Sequence, residues 1–280
     1  MNDHHPTSRR RSVLFMPASN PRAIAKAQGL ACDAVILDLE DAVAPEAKAD
    51  ARAAAVAAAA GFGARPCAVR INALDTPWGQ DDAVAVRGVA AVVVPKVASA
   101  ADLVAIRAAL GADGPPIWAM IETCGAILRL PEIAATAATT GTALLIAGTN
   151  DLAREMRCRP DADRTPLLPA LTQLVIAARA AGLVALDGVC NAIGDPDRLA
   201  VECAQGAMLG FDGKTLIHPA QIDAANAAFG PSAEQLAWAQ AVVTAFAAPD
   251  AAGRGAIRLD GAMVERLHLA EAERILVLAG

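Results

Sequence analysis

The chain has no tyrosine, and aromatic residues make up only 3% of its 280 residues. Large rings therefore cannot fill the interior, which must be built from Ala, Val, Leu and Ile at close spacing; alanine alone is about a quarter of the chain. There is no Cys-x-x-Cys pair. The six cysteines (Cys32, Cys67, Cys124, Cys158, Cys190 and Cys203) are scattered, which excludes zinc-ribbon spacing and argues against a disulfide framework at this length. They read as small buried hydrophobes in a reducing cytoplasm, the expected location. Basic runs are also missing beyond Arg9–Arg11. With a formal net charge of −6, the chain lacks the electrostatic footprint of a nucleic-acid binder. The longest uncharged window, 133–150, is rich in Thr and holds two Gly and an Asn, so it makes a poor membrane span. The basic N-terminus lacks a sustained apolar stretch before the first strand-like segment, and a secretory leader is not expected.

What is present is apolar and regularly alternating. Hydrophobic residues are 55% and charged residues 19%, enough apolar surface for a large core. Short β-branched runs at 13–17, 34–40, 67–72, 90–96, 116–122, 143–148, 183–189 and 207–213 alternate with Ala-rich helical stretches. Runs that are apolar throughout, not alternating, indicate parallel strands covered on the outside. Eight such units predict an α/β (β/α)8 TIM barrel over 1–220, with an open doubly wound sheet as the alternative. Residues 221–280 read as a C-terminal helical extension or lid that could pack on a neighbouring subunit, with two helices joined at Gly230–Pro231, a short RLDGAMV segment and a last amphipathic helix.

The sparse charge falls at strand ends, and in a parallel barrel those ends share one mouth. Asp38, Glu40 and Asp41 close the second run, Arg70 and Asn72 the third, Lys96 the fourth and Glu122 the fifth; Asp151 follows the sixth and Asp187 sits in the seventh. Glu122 and Asp151, from adjacent strand ends, offer hard oxygen ligands suited to Mg2+, with Mn2+ as a substitute, and zinc is disfavoured. Arg70 could hold a substrate carboxylate or pair internally with the DLED carboxylates. The segment around Lys214 is not a phosphate loop, because position 208 is Met where that pattern needs Gly, and no dinucleotide fingerprint follows any strand. His218, beside Pro219, reads as a structural hydrogen-bonding residue rather than a base.

In order along the chain, RSVLFMPASNPRAIAKA, DAVILDLEDAVAPEAKADAR, VRIN, VPKV, Glu122-Thr123, GTNDLA and GFDGKTLIHPAQI resemble the blocks of the citrate lyase beta subunit-like proteins. That group of the aldolase/citrate lyase superfamily includes malyl-CoA, citramalyl-CoA and citryl-CoA lyases. The resemblance implies a barrel with Mg2+ on Glu122 and Asp151. It further implies reversible Claisen-type cleavage of a short 3-hydroxyacyl-CoA dicarboxylate into an acyl-CoA and a 2-oxo acid. Arg70 would add positive charge at the reacting centre, and Glu40 and Asp41 would support Arg70 or metal-bound water. Arg11, Arg22, Lys26 and Asp38 are candidates for substrate contacts. Glu265, in GAMVERLHL, occupies the register where relatives carry an Asp that reaches a neighbour's site as acid/base. Ala18, where a Gly is usual, and Cys124-Gly125-Ala126 also depart from the family pattern. A homo-oligomer, trimer or hexamer, is implied. The competing expectations are an aldolase acting on a free 2-oxo acid, and a lyase subunit that needs an acyl-carrier partner.

Overall fold

The computed structural model describes residues 9–279 apart from 249, 250 and 252. Eight strands form a closed parallel barrel in sequence order: β1 (Ser12–Pro17), β2 (Ala34–Asp38), β3 (Cys67–Arg70), β4 (Ala91–Val94), β5 (Ile117–Ile121), β6 (Thr142–Ala147), β7 (Val184–Asp187) and β8 (Gly213–Leu216). Closure comes from β8 pairing with β1, Val13 beside Thr215 and Leu14 beside Leu216. The (β/α)8 expectation holds, and the open sheet does not.

Side chains alternate across the barrel wall. Ile36, Val93, Met120, Leu144, Ile146 and Leu186 point into the lumen, while Leu14, Val35, Leu37 and Val69 pack outward under the helices. Ala34, Ala68 and Ala91 leave room inside, and Trp118 fills it while carrying the Arg10 guanidinium 5.5 Å from its ring. One large ring beside these small residues thus completes a lumen otherwise filled by branched side chains.

The eighth strand is displaced from its expected place at 207–213. Ala207–Leu209 instead end the helix Pro196–Leu209, which stops at Gly210 in the left-handed region (φ 96°). The strand then begins at Gly213, where a Cβ would lie 1.8 Å from the Arg10 carbonyl oxygen. The strand is GKTL, two of whose four residues are polar. Lys214 is nonetheless fully buried, because Asp187 and Glu202 neutralise it at 3.0 and 3.3 Å.

The barrel unit spans Arg10–Phe229 and so includes the helix Ile222–Ala228, which the sequence reading assigned to the extension. Arg9 and the described residues from Gly230 to Ala279 form a second compact unit. Its helices Ala233–Ala247 and Arg266–Ala279 pack through Ala239, Val242, Phe246, Ala272 and Ile275. Between them an antiparallel hairpin, β9 (Ala256–Leu259) and β10 (Ala262–Glu265), turns at Asp260–Gly261, both with positive φ. That Asp-Gly turn is the two-residue type whose twist matches paired strands. Among the described residues no helix is long and apolar enough to cross a membrane, and all six cysteines are free.

Candidate active site

Three local devices set the strand ends at the barrel mouth. Past β2, the Lys48 ammonium donates to the Leu39 and Glu40 carbonyls at 2.8 Å each, while the Asp38 carboxylate accepts from the amides of Glu40 and Ala42. Past β5, the Thr123 hydroxyl caps a helix beginning at Cys124, so Glu122 is held between strand and helix. Past β6, Gly148 opens the helix Thr149–Met156 and brings Asp151 into its first turn. A Cβ on Gly148 would lie 2.3 Å from the Glu122 Cβ, so only glycine lets the two segments approach.

These devices converge on a cavity of about 370 Å3 lined by Asp38, Asp41, Arg70, Glu122 and Asp151, with Phe15, Met120, Val189 and Ile217 among its apolar walls. Arg70 is its electrostatic hub. Its Nε and Nη2 donate to the two Asp38 oxygens at 2.6 Å each, its Nη1 reaches Glu40 at 2.9 Å and Asp41 at 3.7 Å, and its guanidinium lies 5.0 Å from the centre of the Phe15 ring. Burial alone would lower the Arg70 pKa, but the bonds and charges of Asp38, Glu40 and Asp41 outweigh it and hold the cation well above its ordinary value. Burial also raises Glu40 above the usual carboxylate range, against the pull of Arg70 and Lys96. Glu122 is pushed up to about 7, chiefly by burial and further by the charges of Glu40 and Asp151, despite a hydrogen bond from the Lys96 amide. Asp151 sits at the rim, paired with Arg154 at 2.9 Å.

Two residues carry no local sign of their place here. Lys96 reads in the sequence as a strand-end charge, yet its amide donates to Glu122 Oε1 at 2.6 Å and its ammonium to Glu40 Oε1 at 3.0 Å. Gly148 reads as an ordinary residue at the end of an apolar run. Among the expected site residues, Asp38, Asp41, Arg70, Glu122 and Asp151 line one cavity, and Glu40 joins them through Arg70. Asp38 faces Arg70 with both oxygens, so the internal pairing weighed for Arg70 is formed and Asp38 is an orienting partner rather than a free substrate contact.

Arg11 is not brought to the mouth. It precedes β1 at the amino end of the barrel, where Asp33 takes its guanidinium at 2.8 and 2.9 Å. Arg22 and Lys26 are exposed on the helix Pro21–Gln28, outside the cavity lining. Glu265 is exposed at the end of β10 in the C-terminal unit. Asp187, read as a pocket charge, points outward instead; Arg164, at 2.8 Å, and Lys214 hold it in a buried ion cluster between β7, β8 and the helix Pro196–Leu209. Its neighbour Leu186 faces the lumen, and strand alternation puts Asp187 on the other side. His218 caps the Ala220 amide through Nδ1, a structural role.

The donor set fits a hard divalent cation. Five carboxylates (Asp38, Glu40, Asp41, Glu122 and Asp151) gather against Arg70 and Lys96, with Arg154 reaching in from the rim, and a cation would offset the excess. Among the described residues no group of three or more His, Cys, Asp or Glu side chains forms a closed metal cage. Two carboxylates with waters and substrate oxygens is the usual way Mg2+ is held.

The chain is 45% identical over 273 residues to a (3S)-malyl-CoA thioesterase of Cereibacter sphaeroides, covering 96% of this chain and 94% of that one. It is 35% identical to the citrate lyase subunit beta of Escherichia coli, covering 95% and 94%. The crystal structure of CitE from Mycobacterium tuberculosis in complex with magnesium, acetoacetate and coenzyme A superposes with a TM-score of 0.76 at 32% identity, covering 98% of each chain. Residues 11–219 match the model of one family, and the chain belongs to it: the HpcH/HpaI aldolase/citrate lyase family.

Proposed function

We propose that this protein is a Mg2+-dependent carbon–carbon lyase. It cleaves a short 3-hydroxyacyl-CoA dicarboxylate into an acyl-CoA and a 2-oxo acid, or forms the same bond in reverse by Claisen-type condensation. The observation that carries this reading is the meeting of Glu122, Asp151 and Arg70 in one cavity at the barrel mouth. Glu122 and Asp151 would hold the ion, which, when bound, supplies Lewis-acid polarisation of the oxo acid's carbonyl and carboxylate oxygens.

The chain's own residues do the rest. Cleavage removes the proton of the 3-hydroxyl, breaks the adjacent carbon–carbon bond and leaves its electron pair on the acyl-CoA as an enolate, which is then protonated. Arg70, kept cationic and oriented by Asp38 and Glu40, places fixed positive charge where the alkoxide develops. Phe15, Met120, Val189 and Ile217 line the cavity with apolar surface that limits water at the reacting atoms. Glu265 from a neighbouring copy is the acid/base in this reading, supported by its register in GAMVERLHL, and the protein works as a homo-oligomer. Arg22 and Lys26, exposed on the first helix, are the candidates for the CoA phosphates.

A second reading, hydrolysis of the thioester, draws on the name of the 45%-identical relative. Here water adds to the thioester carbonyl and the CoA thiolate leaves. One assay separates the two. (3S)-malyl-CoA, citramalyl-CoA, methylmalyl-CoA and citryl-CoA are incubated with and without Mg2+, and the products are identified. A 2-oxo acid with an acyl-CoA supports the lyase, whereas the intact hydroxy acid with free CoA supports hydrolysis. Turnover of free hydroxy-oxo acids alone, or only with an acyl-carrier partner, would overturn both.

A further inference from the structure

Lys96 stands just past β4 with φ 54°, one of four non-glycine residues with positive φ among those described. A lysine gains nothing locally from that conformation, and strain of this kind persists where surrounding structure requires it. Here it lets one residue face two carboxylates. The amide points at Glu122 Oε1 (2.6 Å), and the side chain, 45% exposed to the mouth, folds back to Glu40 Oε1 (3.0 Å). The other Glu40 oxygen holds Arg70 Nη1 at 2.9 Å. Lys96 thus links the two halves of the site, the metal-type carboxylate past β5 and the Asp38–Arg70–Glu40 cluster on β2 and β3.

Glu122 is fixed from two sides. Gly148 closes one, with no space for a Cβ, and the Lys96 amide binds one carboxylate oxygen. Among the described residues, none donates a hydrogen bond to the other oxygen, Oε2.

We infer that Lys96 is a positioning residue with two separable parts: its left-handed backbone aims the Glu122 carboxylate for metal binding, and its ammonium keeps Glu40 on Arg70. The inference rests on the reading of Glu122 and Asp151 as metal ligands. The parts separate because glycine accepts positive φ and a β-branched residue resists it. Lys96→Gly keeps the amide in place and deletes the ammonium. Lys96→Val deletes the ammonium and also drives the backbone out of this conformation. Lys96→Arg keeps the charge.

The test is Mn2+ titration of the full-length protein by electron paramagnetic resonance, alongside kcat and KM with Mg2+ on the thioester found to be turned over, with circular dichroism and thermal melts as fold controls. Mn2+ affinity within about threefold of wild type is expected for Lys96→Gly, and a loss of tenfold or more for Lys96→Val. Lys96→Gly is expected to lower kcat at least tenfold despite retained metal affinity, and Lys96→Arg to recover most of it. Lys96→Val binding Mn2+ as wild type does, or Lys96→Gly losing metal as severely as Lys96→Val, overturns the backbone part. Wild-type kcat in Lys96→Gly overturns the ammonium part. Should Lys96→Val not fold, Lys96→Ala, whose Cβ also disfavours positive φ, takes its place in the titration, and the Lys96→Gly kinetics still decide the ammonium part. Wild-type protein that takes up no Mn2+ would overturn the metal reading and this inference together, whereas wild-type uptake matched by Lys96→Val overturns the inference alone.

Discussion

Adding one methyl group at Gly148 should disable the site while leaving the barrel folded. Gly148 has φ −87° and ψ 71°, so alanine meets no left-handed backbone penalty, and the whole effect falls on the neighbour. The new Cβ would lie 2.3 Å from the Glu122 Cβ and 2.5 Å from its Oε2, far inside van der Waals contact. Relief requires Glu122 to swing away or the helix Thr149–Met156 to shift, and either movement separates Glu122 from Asp151. Overpacking of this kind costs about 1–3 kcal/mol. Weakening the charge-assisted bond from the Lys96 amide adds about 1.5–3 kcal/mol where it breaks outright. At roughly 2–4 °C per kcal/mol for a chain approaching this size, Gly148→Ala should melt several degrees below wild type and still unfold cooperatively. A displacement near 1 Å at a reacting centre costs on the order of 100-fold, so activity should fall by about that factor, with a parallel loss of metal affinity. Melting curves with and without Mg2+, Mn2+ titration and kcat/KM on one preparation test this. Wild-type metal affinity and turnover in Gly148→Ala would refute the packing argument.

Three further outcomes are expected. Burial holds the metal-free Glu122 carboxyl at about 7, above its ordinary value, so its ionised form is disfavoured in the fold. The metal-free fold therefore loses stability as pH rises from the ordinary carboxylate range through about 7, and metal binding, which needs the carboxylate, strengthens over that window. The Mg2+-induced rise in melting temperature should be clearly larger at pH 8 than at pH 6, and an equal rise at both contradicts the assignment. Lys214→Met should destabilise by about 3–5 kcal/mol in urea titration, since it removes a partner from the buried Asp187 and Glu202 carboxylates; a loss under about 1 kcal/mol would show that Arg164 and Arg198 suffice. Mixing Glu265→Gln subunits with Asp151→Ala subunits should restore activity above either parent if the acid/base crosses between copies, and hybrids no better than the parents exclude that role.

How far the site was legible depended on how local its signals were. Arg70, Glu122 and Asp151 stood out because charge is rare here and each interrupts or follows an apolar run that could only be a covered strand. Lys96 looked like any solvated strand-end lysine, because its role comes from a backbone conformation and from Glu40 and Glu122, which are 56 and 26 residues away. The apolar run at 207–213 draws the eighth strand away from GKTL, whose Lys214 is buried only because its neutralising carboxylates lie on β7 and the helix Pro196–Leu209. Arg11 is a candidate substrate contact by resemblance, but closure of the barrel puts it at the amino end with Asp33.

The sequence by itself therefore determined covered parallel strands alternating with Ala-rich helices, in a number that suits a barrel whose strand ends share one mouth; the pairing of β8 with β1 closed it. Only the tertiary structure decided which charges work there. The face on which a side chain emerges follows from strand register, which sent Asp187 outward and Arg70 inward, and whether a buried charge is free or neutralised depends on partners from distant segments. The spacing of Gly148 against Glu122 belongs to neither segment alone; it exists only once β5 and β6 lie side by side.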